Sequence, residues 1–223
     1  MHVRRLRPFV LAGALLVPLS LASAHARPQG DLLDRAVSAW AKVKTARATF
    51  EQTITNSLTG RTLTSSAQYQ QQRPGKLSIR FTQPANEMIV ADGKYLWMYL
   101  PSSAPGQAIR MSARDGAGGT MDFTAQFLSA PRSRYNVSPA GTLTLDGRPT
   151  HAFTLVPKVK DGAPFQTATV WIDDADATIR QFDVTETSGL QRKVRLTSLR
   201  TNVSVDASAF KFVVPQGVRI VDR

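Results

Sequence analysis

The stretch RPGKLSIRFTQPANEMIVADGKYLWMYLP, residues 73–101, decides the fold. Within it Leu77, Ile79 and Phe81 alternate with Ser78, Arg80 and Thr82, the period-2 signature of a strand with one dry face. Asp92-Gly93 then makes a tight hairpin turn, because glycine takes positive φ without steric cost. The strand after it, YLWMYL at 95–100, is apolar on both faces. Each of its sides therefore needs a cover, and the rest of the chain must supply two.

Upstream, Asp31 is expected to cap a helix over 32–44, with Asp34 favoured in the first turn by the helix dipole. Leu32, Leu33, Ala36, Val37, Trp40 and Val43 form one apolar stripe at helical spacing. From 46 to 54 the alternation changes to period 2, with Phe50, Gln52 and Ile54 on one face. A turn at 56–60 leads into a long polar strand, 61–71, with Leu63, Ala67 and Tyr69 on one side. Downstream, a short strand at 108–111 precedes a glycine-rich connection, 116–119. Thr120 is then placed to cap a second helix, 121–129, carrying Met121, Phe123, Phe127 and Leu128. Glycines ahead of such a helix fit a mobile element as well as an ordinary loop feeding a core helix. The second half reads as hairpins at 135–138, 142–145, 150–156, 165–172, 178–187 and 190–199, followed by Phe210, Phe212 and Val214. The sum is about ten strands in meander order with two or three helices, an antiparallel sheet large enough to curl.

Residues 1–26 read as a secretory signal: Arg4, Arg5 and Arg7, an apolar run over 9–21, then small residues that place cleavage after Ala24 or Ala26. Pro18 breaks the run, which is short for a membrane span, so a retained anchor is the weaker reading. The chain has no cysteine, which leaves neither an acylation site nor disulfides and implies a free, soluble product. Residues 27–223 are then one domain of 197 residues. Three of 28 basic residues leave with the signal, so 25 stand against 16 acidic residues, a net +9. That charge suits anionic headgroups, an acidic partner or nucleic acid, or serves solubility alone. Export argues against nucleic acid.

No catalytic, metal or cofactor set can be assembled. His151 is the one histidine beyond the signal and sits in the alternating strand HAFTLV, where a packed or hydrogen-bonded strand residue is the expectation. Asp173, Asp174 and Asp176 lack the spacing of a calcium loop and read as a solvated turn. Gly116 to Gly119 lacks the Lys-Ser/Thr of a nucleotide loop. Arg192, Lys193 and Arg195 read as a solvated strand edge. An enzyme is not expected.

What remains is apolar surface in excess. The helices can cover only one face of a single curved sheet. Phe50, Tyr69, Phe81, Trp97, Tyr99, Phe153, Trp171 and Phe182 are placed to line a concave face beneath Trp40 and Phe127. They fit a filled core, and they equally fit a lipid pocket under a removable lid.

The chain also resembles the periplasmic outer-membrane lipoprotein carriers, the LolA family. The likeness runs from Asp31 to Asp222 through ATFEQ (48–52), RPGKLSIRFTQP (73–84), IVADGKYLWMYLP (89–101), LVPK (155–158) and FKFVVPQGVRIVD (210–222), in this order and spacing. It implies a mainly β fold, an incomplete antiparallel barrel of ten to eleven strands with a lid of two to three α-helices over an apolar cavity. It implies a monomeric periplasmic chaperone that takes triacylated lipoproteins from an inner-membrane ABC transporter to an outer-membrane receptor, with no cofactor. Arg73 of the Arg-Pro pair takes the role of the lid latch, and Trp40, Leu77 and Ile79 take cavity positions. With the aromatic wall, the expected acyl-chain cavity comprises Trp40, Phe50, Leu77, Ile79, Phe81, Trp97, Phe123, Phe127, Leu128, Phe153 and Trp171. A carrier of another lipid or glycolipid, or a sensor of mislocalised lipoproteins, is the alternative on the same fold.

Overall fold

The side of YLWMYL left without a partner in the sequence is covered by the C-terminal segment. In the computed structural model, which describes residues 29–112 and 122–223, this strand is β5 (Tyr95–Tyr99). It lies in a twelve-stranded sheet with β1 (Thr45–Asn56), β2 (Thr62–Gln72), β3 (Lys76–Gln83), β4 (Met88–Asp92), β6 (Gln107–Ser112), β7 (Tyr135–Leu145), β8 (Arg148–Pro157), β9 (Thr167–Asp173), β10 (Ile179–Thr185), β11 (Leu190–Thr201) and β12 (Arg219–Asp222). The spatial order is β12-β6-β5-β4-β3-β2-β1-β11-β10-β9-β8-β7. All neighbours are antiparallel except β12, which runs parallel to β6. Because β12 and β7 do not pair with each other, the sheet is an open, incomplete barrel. Gly93, at φ +97, makes the β4–β5 turn in the backbone region that glycine was expected to supply.

The sheet has twelve strands against the ten to eleven expected, and two local readings change. Residues 135–138 and 142–145 form the one strand β7, whose register shifts between Pro139 and Gly141. Residues 219–222, which carry no alternation strong enough to read as a strand, add β12 by pairing alone. Helix α1 (Gln29–Ala41) begins ahead of Asp31 and stops short of Lys44, so Asp31 lies inside it and is not its cap. The expected signal segment, the glycines at 116–119, Thr120 and Met121 lie outside the described residues.

Alternation assigns each strand residue to a face. On one face Leu77, Ile79, Ala91 and Leu96 join Phe50, Tyr69, Phe153, Val170 and Phe182 in one apolar cluster, roofed by α1 and by α2 (Phe123–Leu128). Leu33 and Ala36 of α1 are fully buried, as the helical stripe requires. On the other face Val90 and Trp97 face the C-terminal segment. There a 3-10 turn, Ala207–Phe210, buries Ala209 and Phe210, and Arg80 donates to the Ala209 carbonyl at 3.4 Å. Trp97 stacks on Phe212 with ring centroids 5.0 Å apart. Phe212→Ala is expected to cost about 2 kcal/mol of stability by stripping this cover. Urea unfolding checks it; the change lies on the face away from the helices.

The turn at 173–177 is not solvated throughout. Asp173 is buried and accepts from Arg148, from Arg180 at 3.1 Å and from the Ala175 amide at 2.8 Å. Burial opposes its ionisation, but these donors outweigh it and hold the carboxyl below the usual carboxylate range. The buried charge staples β8, β9 and β10 together. His151 lies 3.1 Å from Asp174, a strand-edge contact. No group of potential metal ligands occurs among the described residues, and no helix there is long and apolar enough to cross a membrane.

Candidate functional site

Arg73 follows β2 directly, at the turn into β3, and reaches under both roof helices. Its backbone N–H donates to the Lys44 carbonyl at 2.8 Å, which fixes the turn against the end of α1. Its Nη1 donates to the carbonyls of Trp40 and Val43 at 2.9 and 3.2 Å. The Trp40 carbonyl belongs to the last turn of α1, at the negative end of the helix dipole, and also accepts from the Val43 amide at 3.0 Å; the Val43 carbonyl lies two residues past the helix, so the guanidinium grips both the helix end and the chain leaving it. Nε and Nη2 both donate to Asp122 Oδ2, at 3.2 and 2.8 Å. Asp122 in turn caps α2, its Oδ1 accepting from the Ala125 amide at 2.9 Å. One arginine thus ties the last turn of α1 to the first turn of α2, and its guanidinium carbon lies 4.7 Å from the centre of the Trp40 ring.

Beneath this junction lies Tyr69. Burial, with the Asp122 charge added and Arg73 opposing, pushes its phenol far above the ordinary value, and it donates to Gln71 Oε1 at 2.8 Å. Beside Tyr69 an enclosed, largely apolar space of about 40 Å³ is walled by Trp40, Ala48, Phe50, Phe182, Val194, Leu196 and Leu199. Its polar end holds Gln52 and Arg192, which bond to each other at 2.7 Å, with Arg192 also paired to Glu186 at 2.6 Å. A second space of about 190 Å³ lies between α1, α2 and the start of β10, and shares Trp40, Thr124 and Leu199 with the first.

The expected site residues divide into groups. Trp40 and Phe50 wall the smaller space, and Leu128 borders the larger one. Phe127 packs its ring on Phe165 and Phe182, with centroids 5.9 and 5.1 Å away. Leu77, Ile79 and Phe153 are buried in the same cluster beyond the open space. Phe81 is partly buried against it, edge-on to Phe50. Phe123 opens α2, and its side chain lies outside what is described.

Trp97 and Trp171 are on the opposite face of the sheet and are corrections to the expected cavity. The partners of Trp97 across the strands are Val90 and Arg110, whereas its neighbour Leu96 pairs with Ala91 and Met111 and faces the helices. Trp171 pairs with Ala152 and Gln181, while Val170 pairs with Phe153 and Phe182 in the cluster. Two further corrections concern polar residues. The cap of α2 is Asp122, and the helix starts two residues later than expected. Arg192, read as a solvated edge, borders the cavity instead. Asp122 itself escaped the sequence reading, although an Asp directly ahead of an apolar helix is a capping signal.

A family model described as outer membrane lipoprotein carrier protein LolA matches residues 41–213. Among solved structures, the chain is similar to an uncharacterized conserved protein from Thermus thermophilus, at 12% identity and TM-score 0.54, over 87% of this chain and 98% of that one. It is also similar to the Mycobacterium tuberculosis lipoprotein LppX, at 16% identity and TM-score 0.51, over 81% of this chain and 100% of that one. A LolA superfamily protein from Nitrosomonas europaea matches at 11% identity and TM-score 0.40, over 84% and 99% of the two chains. The first two likenesses, at TM-scores above 0.5, establish a shared fold alone.

Proposed function

The chain belongs to the outer membrane lipoprotein carrier protein LolA family, and from that membership we propose that it is a periplasmic carrier that shields lipoprotein acyl chains and delivers them to the outer membrane. In this reading an inner-membrane ABC transporter loads it, an outer-membrane receptor unloads it, and a signal segment at residues 1–26 exports it. Each CH₂ of an acyl chain exposed to water costs about 0.8 kcal/mol, so a triacylated protein needs a shield in transit.

The observation that carries this reading is an apolar wall whose two free spaces, about 40 Å³ against the sheet and about 190 Å³ under the helices, are both small while the latch is fastened. A ligand of drug size occupies about 300–1,000 Å³. The 40 Å³ between Trp40, Phe50 and Phe182 holds about one water. Acyl chains can enter only where α1 and α2 leave the sheet, so cargo and roof compete for the same apolar surface. Such competition is what a carrier needs, because a cavity that holds chains too well never releases them. Arg73 and Asp122 bias the balance towards the empty, closed state.

Incubated with spheroplasts that contain the lipoprotein-releasing transporter, the purified protein is expected to bring lipoproteins into the supernatant as a soluble complex. If none is released where a characterised carrier succeeds, the proposal fails.

A further inference from the structure

We propose that the indole N–H of Trp40 donates to a carbonyl oxygen of the cargo's ester linkages and so fixes how far the chains enter the cavity. This rests on the carrier reading above.

The chain has three tryptophans, and two of them have settled indole donors. Trp97 Nε1 donates to Asp92 Oδ2 at 3.1 Å, and Trp171 Nε1 donates to Asp183 Oδ2 at 3.0 Å. Trp40 is 8% exposed, and its Nε1 is shielded from solvent with no acceptor among the described residues. An indole nitrogen can only donate, so it cannot satisfy itself by any other exchange. Burying such a donor unpaired is costly, and native proteins rarely leave one.

The position of this orphan matters as much as its state. Trp40 belongs to the wall of both free spaces, the 40 Å³ one against the sheet and the 190 Å³ one under the helices. The larger polar side chains around the smaller space are engaged: Gln52 with Arg192, and Tyr69 with Gln71. Trp40 is held in place by Arg73, which lies over its ring and bonds its carbonyl at 2.9 Å.

The ligand must therefore bring an acceptor into an apolar space without bringing a donor that would itself be stranded. Water does not suit the smaller, largely apolar space, since it requires two to four polar partners and the larger polar side chains there are engaged. A bare alkyl chain brings no acceptor at all. An ester linkage carries a carbonyl acceptor at the head of an alkyl chain and no donor. Trp40, carried on α1, would then meet the linkage as the chains part the roof helices from Phe50, Phe182 and their neighbours.

The test compares two lipids of equal chain length, dipalmitoylglycerol and its dihexadecyl ether counterpart, presented in mixed micelles to the full mature chain. Wild type is expected to retain the ester about five- to twentyfold better than the ether. Trp40→Phe keeps the ring and loses the donor, and should hold both lipids equally. Independently of any variant, the Trp40 indole proton should move downfield on NMR when the ester binds, while those of Trp97 and Trp171 stay in place. Equal retention of the two lipids by wild type, a preference that survives in Trp40→Phe, or an unmoved Trp40 signal overturns the inference and leaves the carrier reading standing. Binding of neither lipid overturns the carrier reading and this inference with it.

Discussion

Arg73→Leu is expected to accept cargo normally and to pass it on roughly ten- to a hundredfold more slowly. Nothing in the variant disturbs the apolar wall, because Leu77, Ile79, Phe50 and Phe182 remain buried without Arg73. What it loses is the set of bonds that exists only while the roof is closed: to Asp122 at 2.8 Å and to the Trp40 and Val43 carbonyls at 2.9 and 3.2 Å. A charge-assisted hydrogen bond contributes about 1.5–3 kcal/mol, and each 1.4 kcal/mol is a factor of ten. The two side chains are 27% and 13% exposed, so solvent screening is partial and a single bond's worth is the prudent figure for the set. Removing it weakens the closed empty state against the loaded one, and cargo stays. Asp122→Ala loses the α2 cap as well as the pair and should slow release in the same direction. Because both changes break one junction, the double variant should fall short of their sum. Transfer of a labelled lipoprotein to receptor-containing vesicles measures all three, and wild-type transfer by Arg73→Leu would refute the latch.

Phe127→Ala is expected to lower the free energy of unfolding by about 3–5 kcal/mol, the range for truncating a buried aromatic. Phe127 is 1% exposed and sits between Phe165 and Phe182, so no solvent-side rearrangement can fill its place. Helix α2 has only six residues, too few to persist without tertiary contacts. The variant should therefore also lose its hold on α2 and bind a hydrophobic dye in the empty state, where wild type binds little. Denaturant melts and dye titration read the two effects. A loss below about 1 kcal/mol with no dye binding would show that α2 is anchored elsewhere.

The sequence made the strands legible wherever one face is wet. Leu77, Ile79 and Phe81 against Ser78, Arg80 and Thr82 describe β3, even though Ser78 proves buried. Alternation gives a period but not a direction. It separates Leu96 from Trp97, and Val170 from Trp171, without saying which of each pair meets the helices. Side-chain size pointed to the tryptophans, and topology decided against them. The face of Trp97 is claimed by Phe212, more than a hundred residues later, a pairing no local pattern encodes. Trp171 turns its ring nitrogen to Asp183 on the neighbouring strand, so its polar edge has a partner away from the roof. Arg73 gained its role from family likeness, since a turn arginine before Pro74 carries no local sign of what it will reach. Asp122 was legible in kind but hidden by Thr120, an equally good capping residue two positions earlier.

The unjoined edges at β7 and β12 bear on capacity. In a closed barrel the bore is dictated by strand number and shear, and widening it means breaking the ladder somewhere. Here no ladder bond links the first strand of the sheet to the last, so the two margins can spread or draw in through small changes of twist shared among eleven strand pairings. For the carrier proposed above this leaves no fixed gauge: its girth would follow its contents, and chains of different length would cost it a flexing of the sheet and no broken hydrogen bond.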